Sequence, residues 1–297
     1  MISLSLAGLL SQIFNGIQFG VLVALLATGL SLIFGMLGII NFAHGSLYML
    51  GAYLVWSVVQ VLDIPGKFWF GLVFSFLFMG FVGFIIEKFL LRRMYGQPVV
   101  YMILITFGLL LVIQQGVGLI YGTNPLPLGI PPLLRGEVNL GLFKYPLYYL
   151  FTMCLGLLVI FAVWFFIERS TWGAIIRACA EDPETAGTLG IKTVNVYTLT
   201  FALGAALAGL GGGLHAPMIG GLQHTIGGLI ILVCFIVVVV GGMGSIRGAL
   251  LAGITIGVIR GLAGLFWAPA SEIVMFIAMG IILGFRPQGL LGKKIIT

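Results

Sequence analysis

Charge is what this sequence has least of. Only 7% of its 297 residues are Asp, Glu, Lys or Arg, whereas a soluble domain carries about 25%. Because so few charges cannot cover a soluble surface, and because 61% of the residues are hydrophobic, the composition indicates an integral membrane protein. No polar block is long enough to fold as a soluble domain, so we expect one membrane domain over residues 1–297.

The sequence also lacks the patterns that accompany metal, nucleotide and disulfide chemistry. Its cysteines, Cys154, Cys179 and Cys234, are scattered, which excludes a disulfide framework or a metal-ligand spacing. The run "GGMGS" at 241–245 lacks the Gly-Lys-Ser/Thr end of a phosphate-binding loop and more readily breaks a helix. We therefore expect no enzymatic activity, no metal and no cofactor in this chain, and any ATP would be bound by a partner.

Long apolar runs are what the sequence has instead. A helix that crosses the hydrocarbon core needs about 20 mostly apolar residues, and about nine such runs are present. They predict an all-α, polytopic transmembrane helix bundle of about 8–10 spans. The runs lie at 9–34, 38–61, 68–90, 99–121, 146–167, 194–217, 225–243, 248–266 and 270–285.

Basic residues predict the orientation of the bundle. Three charged segments, at 87–97, 168–192 and 285–294, satisfy the positive-inside rule when all three face the cytoplasm. With about nine crossings, this places the N-terminus outside and the C-terminus inside. The net charge of +6 is then explained by orientation and does not indicate a nucleic-acid partner.

The segment 168–192 carries strong local helix signals. Asp182 is a good N-cap, and Pro183 suits the first helical position. Glu184 places a negative charge near the N-terminus, which the helix dipole stabilises. Gly190 suits a C-terminal cap. A helix this short is marginal in water and needs a surface to dock on. It is either a capped turn lying on the membrane or a coupling helix that inserts into a cytoplasmic partner. We expect it over 183–189.

Polar side chains interrupt one apolar run near its start. Asn41, His44 and Ser46 lie in "NFAHGS", and a buried amide without a partner costs about 2–7 kcal/mol in hydrocarbon. Asn41 and His44 are three residues apart, so on a helix they would share a face, and the flanking glycines permit a broken or re-entrant helix. These side chains either bond the backbone groups that the break frees or line a translocation path. Further path candidates are Thr106, Gln114 and Gln115.

Acidic residues are nearly absent from the spans. Of the eight acids, only Glu272 is expected to approach the interior of a span, near the start of the last helix. A proton or sodium pump needs a buried carboxylate, so the sequence disfavours a secondary transporter.

Small residues recur at four-residue spacing in two later runs. Glycine is abundant, at 45 of 297 residues, and in membranes such faces let helix backbones approach closely. We expect these positions to pack helices rather than bind substrate. They include Gly204, Ala208, Gly212, Gly253 and Gly257.

Four separated blocks in the same order carry a family resemblance. They are "GLSLIFGMLGIINFAHGSLYMLGAY", "RACAEDPETAGTLGIKTVNVYTLTFALGAALAGLGG", "VVGGMGSIRGALLAG" and "FRPQGLLG". Together they resemble the permeases of branched-chain amino-acid ABC importers, the Liv type, and more narrowly the first of the paired permeases. The resemblance runs over nearly the whole chain.

The resemblance implies partners and a location. It implies a second homologous permease, two cytoplasmic ATPase subunits and a periplasmic solute-binding protein, assembled in a bacterial inner membrane. The 181–190 segment matches the ATPase-docking loop of the family, so Glu181, Asp182, Ala186 and Gly190 take that role by resemblance.

The leading hypothesis is therefore a permease that imports branched-chain amino acids by alternating access. The wider family also includes importers of urea and short amides, and that alternative stays open from the sequence. A self-sufficient channel, with "INFAHG" as a re-entrant selectivity element, is a further alternative and would leave the cytoplasmic helix without a role.

Overall fold

The computed structural model describes residues 6–267 and 269–292, which form a bundle of α-helices with one small hairpin. The expected all-α, polytopic bundle is confirmed, because each predicted apolar run coincides with one helix. The helices are α1 (Leu6–Leu37), α2 (Ala43–Val61), α3 (Lys67–Phe89), α4 (Val99–Tyr121), α5 (Leu147–Arg169), α6 (Thr171–Glu181), α7 (Pro183–Thr188), α8 (Thr193–His215), α9 (Ile226–Gly241), α10 (Ile246–Phe266) and α11 (Ala270–Phe285).

Six of these helices are long and apolar enough to cross a membrane: α1, α3, α4, α5, α8 and α10. The helices α9 and α11 are apolar but shorter, at 16 residues each. Strands β1 (Glu137–Asn139) and β2 (Lys144–Pro146) pair antiparallel in the connection between α4 and α5. The charged segment 168–192 contains the last two residues of α5, then α6 and α7, and α8 begins directly after it.

Helix α1 is the centre of the bundle, with 83% of its most apolar stretch buried. Its main neighbour is α10, and the main neighbour of α3 is α8. A Cβ at Gly16 would lie 2.6 Å from the Gly257 carbonyl oxygen, and a Cβ at Gly253 would lie 2.6 Å from that of Gly20. The two backbones are therefore antiparallel and nearly touch, a packing that only glycine allows at these positions.

A long helix, an interrupted segment and a shorter helix follow one another twice in the bundle, and the two long helices run in opposite directions. The central helices α1 and α8 run antiparallel, since Gly29 contacts Gly204 and Leu25 lies near Gly211. Each is followed by an interrupted segment and then a shorter helix, α2 or α9, and these two shorter helices meet at Gly45 and Gly227. Interrupted helices in inverted halves are a recurrent design of transporters.

The predicted helix break is present, but one detail of the prediction is wrong. Residues 38–42 are not helical and Gly38 adopts φ +64°, so α2 begins at Ala43 rather than at residue 38. Asn41 lies before the helix while His44 lies in its first turn. The two side chains therefore do not share a helix face, because the break ends the helical spacing between them.

A second prediction, that only Glu272 approaches the interior of a span, is also wrong. Glu87, at the end of α3, is 0% exposed. The sequence placed it in a charged cytoplasmic segment, but the chain folds back at residues 91–94 and encloses it. Glu272 lies in the first turn of α11 and is exposed.

Candidate functional site

Helix α7 begins with a complete side-chain cap. The Asp182 Oδ1 atom accepts hydrogen bonds from the backbone N–H groups of Glu184 at 3.1 Å and Thr185 at 3.0 Å. The Thr185 hydroxyl donates to the Asp182 Oδ2 atom at 2.5 Å, and this bond is the main cause that lowers the pKa of the Asp182 carboxyl. Pro183 occupies the first helical position, so this end of the helix has the form that its sequence predicts.

The other end of α7 is closed by a glycine turn. Gly190 has φ +82°, its N–H donates to the Gly187 carbonyl at 3.0 Å, and the Ile191 N–H donates to the Ala186 carbonyl at 3.2 Å. This pair of bonds is a Schellman motif, in which the left-handed residue is best filled by glycine. The helix ends at Thr188, one residue before the predicted end.

One residue anchors α7 to the bundle. Ala186 is 2% exposed and packs in a small cluster with Met36, Cys179 and Val196. The remaining residues of 181–190 are exposed, including Leu189 at 76%. The segment therefore presents a polar outer surface with one apolar side chain, while Ala186 faces the protein.

This anchor connects α7 to the helix break. Met36 is in the last turn of α1, and the non-helical residues 38–42 follow within two positions. Ile39 packs in an adjacent cluster with Leu91 of the α3–α4 turn and Phe201 of α8. The cluster around Ala186 and the cluster around Ile39 therefore lie close together along the chain, at the end of α1 and in the break that follows it.

Asn41 is enclosed without a hydrogen-bond partner for its side chain. It is 0% exposed, and within the described chain neither its Oδ1 nor its Nδ2 atom has a partner. Its backbone carbonyl accepts the His44 N–H at 3.4 Å, which starts the first turn of α2. An unsatisfied buried amide is costly, so its retention at the break needs a reason other than the stability of this conformation.

His44 and two hydroxyl groups fasten the break to its neighbours. The His44 Nε2 atom is 3.0 Å from the Leu26 carbonyl of α1. The Thr106 hydroxyl of α4 donates to the Ile40 carbonyl at 3.2 Å, and the Ser46 hydroxyl donates to the Leu110 carbonyl at 3.2 Å. The Thr106 bond meets a backbone group that the break frees. The sequence interpretation gave this role to Asn41 and His44, but the Asn41 side chain has no partner in the described chain and His44 contacts a carbonyl inside α1.

The six predicted path residues do not line one open passage in this conformation. Asn41, His44, Ser46 and Thr106 are at most 1% exposed and surround the break. Gln114 is half-buried beside Gly228 of α9, and Gln115 is exposed on the outer side of α4.

The predicted packing residues lie in close helix contacts. A Cβ at Gly204 would be 2.7 Å from the Ile33 side chain of α1, and Gly212 faces the Tyr48 carbonyl of α2. Ala208 is fully buried in the main core. Gly253 and Gly257 face Gly20 and Gly16 across the α1–α10 contact.

A polar network that the sequence analysis missed lies at the end of α3. Glu87 forms an ion pair with Arg92 at 3.2 Å and accepts the Tyr95 hydroxyl at 2.7 Å. Arg92 also donates to the Thr198 hydroxyl of α8 at 2.6 Å. Burial, and then the bond to Glu87, raise the pKa of Tyr95. The spacing of "EKFLLRRMY" was the available signal, since a tight turn after α3 returns Arg92 and Tyr95 to Glu87.

Neither site contains a cluster that would hold a metal ion. Within residues 6–267 and 269–292, no three His, Cys, Asp or Glu side chains are arranged as metal ligands. The described side chains of both segments take part in helix capping, buried hydrogen bonds and helix packing.

Comparison with known proteins agrees with this arrangement. The chain is 32% identical over 298 residues to the "High-affinity branched-chain amino acid transport system permease protein BraD" of Pseudomonas aeruginosa, covering 96% of each chain. It is 31% identical over 296 residues to the protein LivH of Escherichia coli, which has the same descriptive name, again covering 96% of each.

A solved structure shares the fold. The structure titled "PsaBC from Streptococcus pneumoniae in complex with Fab" contains a chain that aligns with a TM-score of 0.50 and 13% identity. The alignment covers 92% of this chain and 91% of that one. This likeness concerns the fold alone.

A family model settles the relationship. The model for the "Branched-chain amino acid transport system / permease component" matches residues 12–284, which include the break, α7 and at least part of every described helix. The chain belongs to this family of branched-chain amino acid transport permeases.

Proposed function

We propose that this chain is the membrane-embedded permease subunit of an ATP-driven importer of branched-chain amino acids. The solute would pass by alternating access, and separate ATPase subunits would supply the energy. The chain itself would catalyse no reaction. Its two similar relatives are named as branched-chain amino acid permeases, which favours these solutes over urea or short amides.

The observation that carries the proposal is the construction of α7. It is a short helix capped at both ends, anchored through Ala186 and otherwise exposed. Such a helix gains little stability by itself, so its capping is best explained by a partner that presses on it. Glu181, Asp182, Pro183, Glu184 and Gly190 would form the ATPase-coupling surface, with Ala186 as its anchor.

The route from α7 into the membrane follows from its contacts. Motion of the ATPases would move α7, and the cluster of Ala186, Cys179, Val196 and Met36 would pass this motion to the end of α1. The break would then change its position, and Asn41 would gain in another state of the cycle the partner that it lacks here. In that state Asn41, His44 and Ser46 would border the path of the solute.

A second permease would cover the exposed face of α4. Only 17% of the most apolar stretch of α4 is buried, and Gln115 is exposed within its membrane-crossing part. An amide in hydrocarbon is unfavourable, so a protein surface or a water-filled path is expected there. The proposed assembly has two permeases, two ATPases and a binding protein in a bacterial inner membrane, with the N-terminus outside and the segment 168–192 in the cytoplasm.

A self-sufficient channel is less well supported. The residues of "INFAHG" are enclosed by α1, α4 and α9 rather than opening to a passage, and α7 would have no function.

The test introduces a charge on the exposed surface of α7. Leu189 is 76% exposed, so Leu189→Glu should leave the permease folded. It should reduce at least tenfold both the amount of ATPase that co-purifies with the permease and the uptake of leucine. Uptake of radiolabelled leucine by membrane vesicles, with valine and urea as competitors, gives the readout.

Leu142→Glu is the matched control. Leu142 is 61% exposed in the β1–β2 hairpin at the other end of the molecule, so Leu142→Glu should leave the amount of ATPase that co-purifies with the permease unchanged. Unaltered uptake in Leu189→Glu would contradict the coupling role of α7. Competition by urea and not by valine would contradict the proposed solute while leaving the coupling role intact.

A further inference from the structure

A groove between α5 and α10 belongs to neither site described above. It has a volume of about 420 Å³. Leu157 and Phe161 of α5 and Leu250 of α10 form its apolar walls. Phe161 is 60% exposed and Leu157 is 37% exposed, so the groove opens at the outer surface of the bundle. Its apolar, exposed walls suit contact with acyl chains.

One cation lies at the end of this groove. The guanidinium of Arg247 is centred 4.6 Å from the Trp164 ring, and Arg247 is the one charged residue in the lining. Arg247 has no ion pair in the described part of the chain, where the single salt bridge joins Arg92 to Glu87. The Trp164 Nε1–H is buried and has no acceptor. The guanidinium and the indole can only donate, so this end of the groove offers donors and needs an acceptor.

The fold adds a further preference for negative charge. Arg247 lies in the first turn of α10, where the helix dipole is positive, and the Ser245 side chain caps only the Gly248 N–H. Trp164 lies near the end of α5, so both residues are at the end of the bundle that bears α6 and α7. Trp and Arg are the residues expected at headgroup depth.

We propose that this groove binds one anionic phospholipid. Its phosphate would bond to Arg247, and its acyl chain would lie along Phe161, Leu157 and Leu250. When the guanidinium turns toward the phosphate, the Trp164 N–H beneath it also gains an acceptor. The lining decides the occupant, because a free phosphate would leave the apolar walls unused, whereas a lipid matches a single cation above an apolar groove. The inference is independent of the transported solute.

Native mass spectrometry of the full-length chain in neutral detergent tests the site. Phosphatidylglycerol should remain bound at a concentration about tenfold lower than phosphatidylcholine with the same acyl chains. Arg247→Gln should abolish this preference. Arg93→Gln, at an exposed arginine outside the groove, is the matched control and should retain it. Leu250→Trp, which fills the groove, should weaken binding of both lipids.

Glu168 provides a second check because it lies one turn after Trp164 and is exposed. If a phosphate occupies the site, Glu168→Gln should tighten phosphatidylglycerol binding about two- to threefold by removing a nearby negative charge. If Glu168→Gln instead abolished the preference for phosphatidylglycerol, as Arg247→Gln should, Glu168 would be the residue that positions Arg247, and the proposal would be overturned.

Three other results would also overturn it. These are equal retention of the two lipids, competition by millimolar inorganic phosphate, and a dimer of the chain that Arg247→Gln dissociates. The second would indicate a free-anion site, and the third a contact between two copies. Thermal unfolding of each variant in the same detergent shows which variants are folded, and lipid binding is compared only among these.

Discussion

Single side chains at the break have opposite energetic roles. The Thr106 hydroxyl satisfies the Ile40 carbonyl, whereas the Asn41 amide has no partner in the described structure. A buried hydrogen bond contributes about 1 kcal/mol, and an unpaired buried polar group costs about 1–3 kcal/mol. Thr106 therefore stabilises this conformation and Asn41 destabilises it, which is the behaviour expected of a residue that has a function in another conformation.

Two substitutions at the break should change stability in opposite directions. Asn41→Leu keeps a similar volume and removes the unpaired amide, so it should raise the free energy of unfolding by about 1 kcal/mol while reducing uptake. Thr106→Val removes a hydroxyl that has a hydrogen-bond partner and should lower the free energy of unfolding by about 1 kcal/mol. Thermal unfolding of the purified chain in detergent and uptake in vesicles measure the two effects. A loss of stability in Asn41→Leu would show that the amide is satisfied, for example by a buried water.

At the scale of the elements, close backbone contacts hold the bundle together. Helices α1 and α10 approach until a Cβ at Gly16 would lie 2.6 Å from the Gly257 carbonyl oxygen and 2.7 Å from the Val258 Cα. Both neighbours are backbone atoms, which cannot turn aside as a side chain can. In contrast, Gly108 of α4 has no atom within 4 Å of a Cβ placed there.

The same substitution at these two glycines should therefore differ in effect. Gly16→Ala should destabilise the chain by about 1–3 kcal/mol, because the helices must separate. Gly108→Ala should be neutral or stabilising by up to about 1 kcal/mol, since alanine is the better helix former. Both are measured by thermal unfolding of the isolated chain. Equal unfolding temperatures would show that α1 and α10 are less closely packed than the structure has them.

At the scale of the whole molecule, the two ends of the bundle differ in character. One end carries α6, α7 and the ion pair between buried Glu87 and partly exposed Arg92, and the other carries the β1–β2 hairpin. The hairpin end is also fastened internally, as Leu126 and Leu222 pair through their backbones and the Trp56 indole donates to the Pro127 carbonyl at 3.2 Å. The hairpin end is therefore held by contacts between distant segments, whereas the other end consists of the short helices α6 and α7.

Labelling with a membrane-impermeant thiol reagent tests the orientation. In a Cys154→Ala background, Leu142→Cys should react in intact cells, because the hairpin is proposed to face outward. Leu189→Cys should react only after the membrane is permeabilised. Cys179 and Cys234 are buried and should contribute little to the signal. The reverse pattern would invert the proposed orientation without changing the fold.

The sequence by itself determined the features that depend on neighbours along the chain. Nine apolar runs became nine helices, six of them long and apolar enough to cross a membrane, since a backbone in lipid must form its hydrogen bonds within its own segment. The caps of α7 at Asp182 and Gly190 also follow the sequence, because a cap bonds to residues two to five positions away. The break near Gly38 was expected for the same local reason.

The tertiary structure alone decided which side chains are enclosed and which meet. It packed Ala186 with Met36, Cys179 and Val196, buried Glu87 against Arg92, left Asn41 without a partner in the described chain and placed Arg247 above Trp164. None of these outcomes follows from helical spacing, because each depends on the position of a second segment brought close by packing. The absence of water in lipid requires an apolar segment to be helical, but the environment of each polar side chain is determined by contacts between helices.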